Sequence, residues 1–262
     1  MAKMNTLASA NWRGLYTLFS KEVRRFMKVP VQTLLTPVVT SLLFLLVFGH
    51  ALKEHVQVFA GVSYVAFLIP GLMMMAIIQN AFANSSSSLI QSKVNGSLTF
   101  VLVAPLSSLE MFLAYVGAAV VRGTLVGLGL YLAVLGVVQL PVFNLAAIVA
   151  FTLLASATLG AMGLIAAVWA MHFEQLSAFQ NFIVVPLSFL SGVFYSIHTL
   201  PPFWHEVSRW NPFFYMIDGF RYGFFGQSDV PPGLSLAVCA IFLTAVSAVC
   251  IALLRSGYKV RH

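Results

Sequence analysis

Charged residues are scarce in this chain of 262 residues: Asp, Glu, Lys and Arg together make up 8% of it. Soluble domains contain about 25% charged residues. Hydrophobic residues account for 60% of the sequence and the mean hydropathy is +0.94, so a soluble fold would lack the polar residues needed to cover its apolar ones. The composition excludes an ordinary soluble domain and predicts that lipid surrounds most of the chain.

Motifs for nucleotide and metal binding are also lacking. No lysine follows a glycine, which excludes the GxxxxGK[ST] phosphate loop, and the sequence contains no HExxH. The two cysteines, Cys239 and Cys250, lie in one apolar run, where we expect them to be buried packing residues. We therefore predict no catalytic residue, no metal site and no cofactor bound by this chain.

Positive charge is concentrated at the two ends of the sequence. Of 14 lysines and arginines, six lie within residues 1–28 and three within residues 255–261. The net charge of +7 would suggest nucleic acid as the partner of a soluble protein, but in a membrane protein such clusters mark the cytoplasmic side. We expect both termini in the cytoplasm, an even number of membrane crossings and no nucleic-acid partner.

Six apolar runs are long enough to cross a bilayer, since about 20 helical residues span the hydrocarbon. An amphipathic helix is predicted before them at 9–28, with its cations facing anionic headgroups at the cytoplasmic interface. The prediction is an all-α membrane protein whose residues 1–262 form one transmembrane domain. The runs lie at about 31–52, 58–83, 111–140, 143–171, 177–198 and 233–254.

The segment at about 84–110 joins the second and third predicted spans and is placed in the cytoplasm by alternation. It has apolar residues and a single lysine, Lys93, so it is not a simple solvated linker. Two interpretations remain open for it. It could present a short helix to a hydrophobic groove on a partner protein, or it could rest on the membrane surface.

The segment at 200–226, between the fifth and sixth predicted spans, is unusually aromatic. Ten of its 27 residues are aromatic and three are proline. We predict two short external helices that dip into the outer leaflet, with the aromatic residues at the headgroup boundary and the pairs Glu206–Arg209 and Asp218–Arg221 formed locally. The hairpin would either gate the exit of a transport path or brace the flanking spans.

Arg122 is the clearest ionisable residue inside a predicted span, and such residues are candidates for function. It stands about 16 Å into the third span from its cytoplasmic end. Two interpretations are open. Arg122 could line a translocation path, with Glu174 of the inner turn between spans four and five as a second candidate. Alternatively, Arg122 could snorkel to the interface or pair with a carboxylate of another helix, for which Glu174 is the nearest candidate.

Two stretches of the sequence carry a family resemblance. GSLTFVLVAPLS in the cytoplasmic segment, and FLSGVFYSIHTLPPFWHEVSRWNPFFYMIDGFRYG further on, resemble the membrane subunits of ABC-2 type exporters. The second stretch is similar to the LSG–LP–NP–R signature of that family, and the likeness covers about 12–258. It implies a homodimer in the bacterial cytoplasmic (inner) membrane, with two separate ATPase subunits that bind ATP and Mg²⁺.

The resemblance also assigns roles to residues. It implies a coupling helix at about 88–104 that is received by a groove on the ATPase, and the low charge of this segment favours apolar insertion there. The residues expected to couple to the ATPase are Lys93, Gly96, Leu98, Phe100, Val101 and Pro105, with Leu98, Phe100 and Val101 inserting. Those expected to form the external re-entrant gate are Pro201, Pro202, Trp204, Trp210, Asn211, Pro212, Phe213, Tyr215 and Arg221.

Three classes of function compete. The resemblance favours the permease subunit of an ATP-driven exporter for an amphipathic substrate, namely a lipid, a lipid-linked glycan or a hydrophobic drug. A stand-alone ion-coupled carrier is the alternative, but Glu110, Glu174 and Asp218 lie near span ends and there is no inverted repeat. A membrane-bound enzyme is disfavoured because Ser191 and His198 would lie about 10 Å apart on a helix, too far for a nucleophile and its base.

Overall fold

A computed structural model describes residues 11–51, 59, 61–136 and 138–257. Within these ranges the chain is helical and contains no strand, as the sequence predicts. The junction between the first two predicted spans, at 53–57, and the basic residues beyond 257 lie outside the described residues. Among the described residues, five helices are long and apolar enough to cross a membrane, at Val31–Gly49, Tyr64–Val94, Ser108–Val134, Leu145–Trp169 and Pro232–Ser256.

The described part of the chain contains eleven α-helices. They are α1 (Trp12–Met27), α2 (Thr36–Ala51), α3 (Tyr64–Val94), α4 (Leu98–Val103), α5 (Ser108–Val134), α6 (Leu145–Trp169), α7 (Phe173–Phe179), α8 (Val185–Phe189), α9 (Pro202–Trp210), α10 (Pro212–Phe225) and α11 (Pro232–Ser256). π-Helical turns at Val31–Leu35 and Gln180–Val184 lead into α2 and α8, and a 3₁₀ turn at Ile197–Thr199 precedes α9.

The predicted amphipathic helix at 9–28 corresponds to α1. Asn11 caps its N-terminus, because the side-chain oxygen accepts a hydrogen bond from the Gly14 N–H at 2.9 Å. Leu18 and Phe26 are buried on one side of the helix, while Trp12 is exposed. The helix is therefore present and amphipathic.

The predicted fifth span at 177–198 is not one long helix. α7, the π-helical turn and α8 run on from Phe173 to Phe189, and the helix then ends at Leu190. Gly192 has a φ of +75°, which a right-handed helix cannot contain, so the backbone from 191 to 196 turns irregularly. This segment is thus not among the five long apolar helices.

α3 is the central helix, and most of its residues are buried against α5 and α6. Small residues let the helices approach closely. A Cβ at Gly163 of α6 would lie 2.4 Å from the Phe82 carbonyl oxygen of α3, and one at Gly160 would lie 2.8 Å from the Ala119 Cβ of α5. Close contact through glycine is how membrane helices gain van der Waals energy when lipid is as apolar as their side chains.

The bundle has two ends, each with its own hydrophobic cluster. At the end that we name the α4 end, α1, α4 and the start of α5 pack with the last turns of α6 and α11, around residues such as Leu18, Leu98 and Leu254. The larger cluster contains the first half of α3 together with α10. Cys239 and Cys250 are buried, one in each cluster, which confirms their predicted role in packing.

Candidate functional site

The aromatic segment at 200–226 folds as two helices, α9 and α10, joined at Asn211. Each helix begins with proline in its first turn, at Pro202 and Pro212, where a missing N–H costs nothing. Pro201 stands just before α9 at its N-cap position. α10 ends at Gly226, whose φ of +67° gives the left-handed cap that glycine favours.

Asn211 connects the hairpin to the end of α8. Its Oδ1 accepts a hydrogen bond from the Phe213 N–H at 3.0 Å, and its Nδ2 donates to the Leu187 carbonyl at 2.7 Å. The Ser208 hydroxyl donates to the Leu190 carbonyl at 3.3 Å. These contacts satisfy carbonyl groups that the broken helix leaves without intrahelical partners, which is what irregular backbone requires at membrane depth.

Arg221 is buried at the centre of this joint, with 1% of its surface exposed. Its Nη2 donates to the Gly192 carbonyl at 2.8 Å, and its guanidinium carbon lies 3.7 Å from the centre of the Phe67 ring. Gly71 makes room for the joint: a Cβ there would lie 2.9 Å from the Val193 carbonyl oxygen. Arg221 therefore ties α10 to both the irregular turn and α3.

The predicted pairing of Asp218 with Arg221 is wrong, since no salt bridge joins them. Asp218 instead accepts hydrogen bonds from the N–H groups of Asp229 (2.7 Å) and Val230 (3.3 Å). Asp229 in turn binds the Ser196 hydroxyl and the Ile197 N–H. Three-residue spacing permits a pair on a helix, but here each side chain faces a different buried backbone segment that needs it. The Glu206–Arg209 pair is confirmed, at 3.6 Å.

The two helices of the hairpin differ in burial. α10 packs between α3, α6 and α11, so Phe213, Phe214 and Tyr215 are buried in protein. The prediction that these three residues lie at the headgroup boundary is therefore wrong. The Tyr215 hydroxyl donates to the Arg209 carbonyl at 2.9 Å. On α9, Trp204 and Trp210 are exposed. Only α9 has the surface that a headgroup boundary requires.

α4 projects apolar side chains away from the bundle. Phe100 is 81% exposed and Val103 is 79% exposed, at a spacing of three residues on the same side of the helix. Leu98, which was expected to insert into a partner, is buried in the chain's own cluster, and Val101 is partly buried against it. Val103 was missed, although its spacing from Phe100 could have identified it. Gly96 supplies a φ of +69° at the turn before α4.

Lys93 contacts the bundle rather than the surface around α4. Its ammonium group donates to the carbonyls of Ala167 (2.8 Å), Val168 (2.7 Å) and Ala170 (3.1 Å), at the C-terminus of α6. A cation there satisfies unpaired carbonyls and the negative end of the helix dipole. Lys93 therefore holds the end of α3 against the end of α6.

The segment after α4 is attached to α1. The Asn11 side chain donates to the Pro105 carbonyl at 3.2 Å, and the Asn11 N–H donates to the Glu110 carboxylate. Glu110 also accepts from the Ser107 N–H at 2.7 Å and completes a capping box at the start of α5. The sequence reading missed this contact between α1 and α5, because the residues are about a hundred positions apart.

Arg122 lies in the middle of α5, about 21 Å along the helix from Ser108, because the helix begins earlier than predicted. Its Nη2 donates to the Asn80 side-chain oxygen of α3 at 3.0 Å, and its Nε is buried without a hydrogen-bond partner among the described residues. The predicted pairing with Glu174 is wrong: Glu174 is exposed at the start of α7, beyond the far end of α6.

Arg122 also lines a groove between α2, α3 and α5, with a volume of about 270 Å³. One part of the wall is polar and another part is apolar. The polar side chains include Gln32, Thr36, Thr40, Gln79 and Asn80, and the apolar ones include Phe44, Leu72 and Met75. We name this feature the Arg122 groove.

A sequence profile of ABC-2 type transporters matches residues 13–225, from the second residue of α1 to the last residue of α10. The chain belongs to the ABC-2 type transporter family. The family makes it a transport permease subunit of an ABC transporter and implies an ATPase partner.

Three relatives illustrate the likeness of this ABC-2 permease to known proteins. It is 39% identical over 251 residues to the inner membrane transport permease YadH of Escherichia coli (strain K12), with 95% of this chain and 98% of YadH covered. It is 25% identical over 250 residues to nodulation protein J of Rhizobium meliloti (strain 1021), covering 94% and 92%. It is 27% identical over 175 residues to the capsule polysaccharide export inner-membrane protein CtrC of Neisseria meningitidis serogroup B, covering 66% and 63%.

In this ABC-2 permease, the LSG–LP–NP–R stretch forms one compact joint. Gly192 supplies a left-handed backbone position and a carbonyl, Arg221 binds that carbonyl, and Asn211 binds the end of α8. The inner-membrane relative and the five apolar helices support a multi-pass protein of the bacterial inner membrane.

Proposed function

We propose that this chain is the permease subunit of an ATP-driven exporter that moves an amphipathic or lipid-like substrate across the cytoplasmic membrane. A lipid, a lipid-linked glycan or a hydrophobic drug fits this description. The family carries the transport part of the proposal. The name of CtrC, a capsule polysaccharide export protein, supports a glycan-bearing cargo and the export direction. ATP and Mg²⁺ would bind to a separate subunit, since the sequence has no phosphate loop.

The proposed assembly contains two copies of the chain and two ATPase subunits. Each copy of the chain would form one transmembrane domain with both termini in the cytoplasm. The five long helices and the α7–α8 segment would make six crossings. The segment from Phe173 to Phe189 is about 25 Å long, close to the 30 Å of hydrocarbon. α2 and α11 expose most of their apolar surface, which suits lipid or a second copy of the chain.

The observation that carries the proposal is the exposed tip of α4. Phe100 and Val103 are both about four-fifths exposed on a helix whose other side, at Leu98, is fixed in the bundle. An anchored helix with two projecting apolar side chains is suited to a hydrophobic groove on the ATPase, where it would transmit motion. Lys93 and Pro105 would act by fixing the position of α4, through α6 and α1 respectively.

We further propose that the hairpin of α9 and α10 is external and covers the exit of the transport path. The burial of α10 supports a fixed role for that helix, and the exposure of α9 supports gating by α9. Arg122 would face the path from the middle of α5, and Glu174, on α7, would lie near its inner entrance.

Co-purification tests the proposal directly. The chain would be purified with the ATPase encoded beside it, and complex formation and ATP turnover would be measured. We expect Phe100→Asp to lower association at least about tenfold, since a charge cannot enter an apolar groove without a partner. Phe203→Asp on α9 is the matched control, because Phe203 is also a largely exposed aromatic residue but lies far from α4. If no ATPase associates with the wild-type chain, the proposal fails.

A further inference from the structure

The Arg122 groove contains a positive charge that the described part of the chain leaves unbalanced. No Asp or Glu of the described residues forms a salt bridge with Arg122. Its hydrogen-bonding partner Asn80 is neutral, and the Asn80 Nδ2 donates to the Ala76 carbonyl at 3.0 Å, which orients the amide oxygen toward the guanidinium. Asn80 therefore positions Arg122 without neutralising it.

The nearest charged neighbours on α1 add to this positive charge. Arg25 acts on Arg122 electrostatically and is itself bound to Glu22 at 3.1 Å. The same carboxylate also pairs with Lys21, at 3.2 Å. The Glu22 carboxylate is therefore paired with two cations of α1 and forms no salt bridge with Arg122. An unneutralised cation in a low-dielectric region is costly. An anion that enters the groove can therefore form the ion pair with Arg122 that no described carboxylate forms.

The walls of the groove indicate what kind of anion fits. The Gln and Thr side chains beside Arg122 can bond to oxygen atoms of a headgroup, while Phe44, Leu72 and Met75 offer an apolar surface next to them. Outside the groove, α2 exposes Val39 and Leu43 at a spacing of one turn. A volume of about 270 Å³ accommodates a headgroup but not a whole lipid.

We propose that the Arg122 groove binds the anionic headgroup of an amphiphile, with the guanidinium as counterion and the apolar part of the ligand along the Phe44 side of the groove. This inference names the substrate class of the exporter and, in that respect, rests on the proposed function. The binding itself requires no ATPase. The same chemistry would also hold an anionic membrane lipid, or inorganic phosphate without any apolar part.

The test measures binding of three probes to the detergent-purified full chain: phosphatidylglycerol, phosphatidylcholine with the same acyl chains, and inorganic phosphate. We expect phosphatidylglycerol to bind about tenfold or more tightly than phosphatidylcholine, as one charge-assisted hydrogen bond contributes that much. Equal binding of the two lipids would overturn the inference. Inorganic phosphate binding as tightly as phosphatidylglycerol would overturn the part that requires an amphiphile.

Three variants localise the effect. Arg122→Gln should abolish the preference for phosphatidylglycerol, and Arg122→Lys should retain most of it, because the charge decides. Arg209→Gln removes a surface charge from α9, remote from the groove, and should leave the preference unchanged. A preference that survives Arg122→Gln would place the anion elsewhere and refute the assignment. If Arg122→Gln fails to fold, the ratio of the two lipids on the wild-type chain still tests whether an anionic headgroup is preferred, and a ratio of one overturns the inference.

The source of the anion is resolved in the assembled transporter. If the wild-type complex shows ATP turnover that rises with an anionic amphiphile and Arg122→Gln loses that rise, the ligand is cargo. If Arg122→Gln binds phosphatidylglycerol poorly but its complex keeps the rise in ATP turnover with the anionic amphiphile, the groove holds a membrane lipid and the substrate assignment fails. A chain that prefers phosphatidylglycerol yet binds no ATPase would instead overturn the proposed function alone.

Discussion

Arg221 and Arg122 are both arginines inside the bundle, yet they differ in burial, in aromatic contact and in access from a groove. Arg221 is fully buried, donates to the Gly192 carbonyl and lies over the Phe67 ring. Arg122 is partly buried at the edge of an open groove, and its hydrogen-bonding partner Asn80 is neutral. The Nε atoms of both arginines are buried without a hydrogen-bond partner among the described residues. Arg221 is in contact only with groups of the protein itself, whereas Arg122 borders a groove that a ligand can enter.

The surroundings of an arginine at membrane depth decide whether it has a structural role or can bind a ligand. The cost of burying a cation is offset at Arg221 by the backbone and by an aromatic face, so a structural role accounts for it. At Arg122 the protein also provides one neutral hydrogen bond, but the side chain lines an open groove, so its charge is accessible to something that is not part of the chain. Judged by burial alone, Arg221 would be the stronger functional candidate of the two, although it is Arg122 that a ligand can reach.

The largest expected effect comes from removing Arg221. Arg221→Leu leaves the Gly192 carbonyl without its donor and removes the contact with Phe67, so we expect a loss of about 3 kcal/mol in the free energy of unfolding. Denaturant unfolding in detergent measures it. Arg209→Leu is the control for removing an arginine from the hairpin, and equal stabilities of the two variants would contradict a structural role for Arg221.

Gly71→Ala tests the same joint without changing a charge. The added methyl would lie 2.9 Å from the Val193 carbonyl oxygen and 3.1 Å from Arg221 Nη2, so the irregular turn must move, at a cost of about 2 kcal/mol. Gly129→Ala is the matched control, since its methyl would meet only Leu34 Cδ2 at 3.9 Å. Thermal unfolding that ranks the two variants alike would argue against a tightly packed joint.

A smaller effect is expected at the other arginine. Arg122→Met keeps an unbranched apolar stem and removes the uncompensated charge, so stability should stay within about 1 kcal/mol of the wild type or increase. The measurement is the same unfolding curve, run beside Arg221→Met. A loss at Arg122 as large as that at Arg221 would remove the contrast between the two sites.

The smallest effect is expected for Arg209→Gln. Its partner Glu206 lies 3.6 Å away, and both side chains are at least half exposed. Exposed pairs contribute roughly 0–1 kcal/mol, so we expect a change in the free energy of unfolding below about 0.5 kcal/mol. A loss above 1 kcal/mol would show that α9 is held as firmly as α10.

The Glu206–Arg209 pair and the failed Asp218–Arg221 pair show why sequence spacing predicts some contacts and not others. Both pairs have the same spacing, but only the exposed pair forms, because no buried backbone group needs its side chains. In the buried pair, each side chain binds a backbone group instead of the other side chain. Arg221 donates to the Gly192 carbonyl, and Asp218 accepts from the Asp229 and Val230 N–H groups. The sequence does not reveal that these backbone groups need a partner. Sequence patterns report local geometry, whereas burial decides which partner a polar group needs.

The sequence by itself determined that this protein is helical, apolar and without a nucleotide-binding loop, because composition and the absence of a motif do not depend on tertiary contacts. It also located α1, α9 and α10, because prolines and amphipathic periodicity act within a few residues. Only the tertiary structure decided that Lys93 caps α6, that Leu98 is buried beside an exposed Phe100, and that Arg122 faces Asn80 in an open groove. Each of these depends on segments distant in the chain, whose contacts are fixed by packing rather than by local pattern.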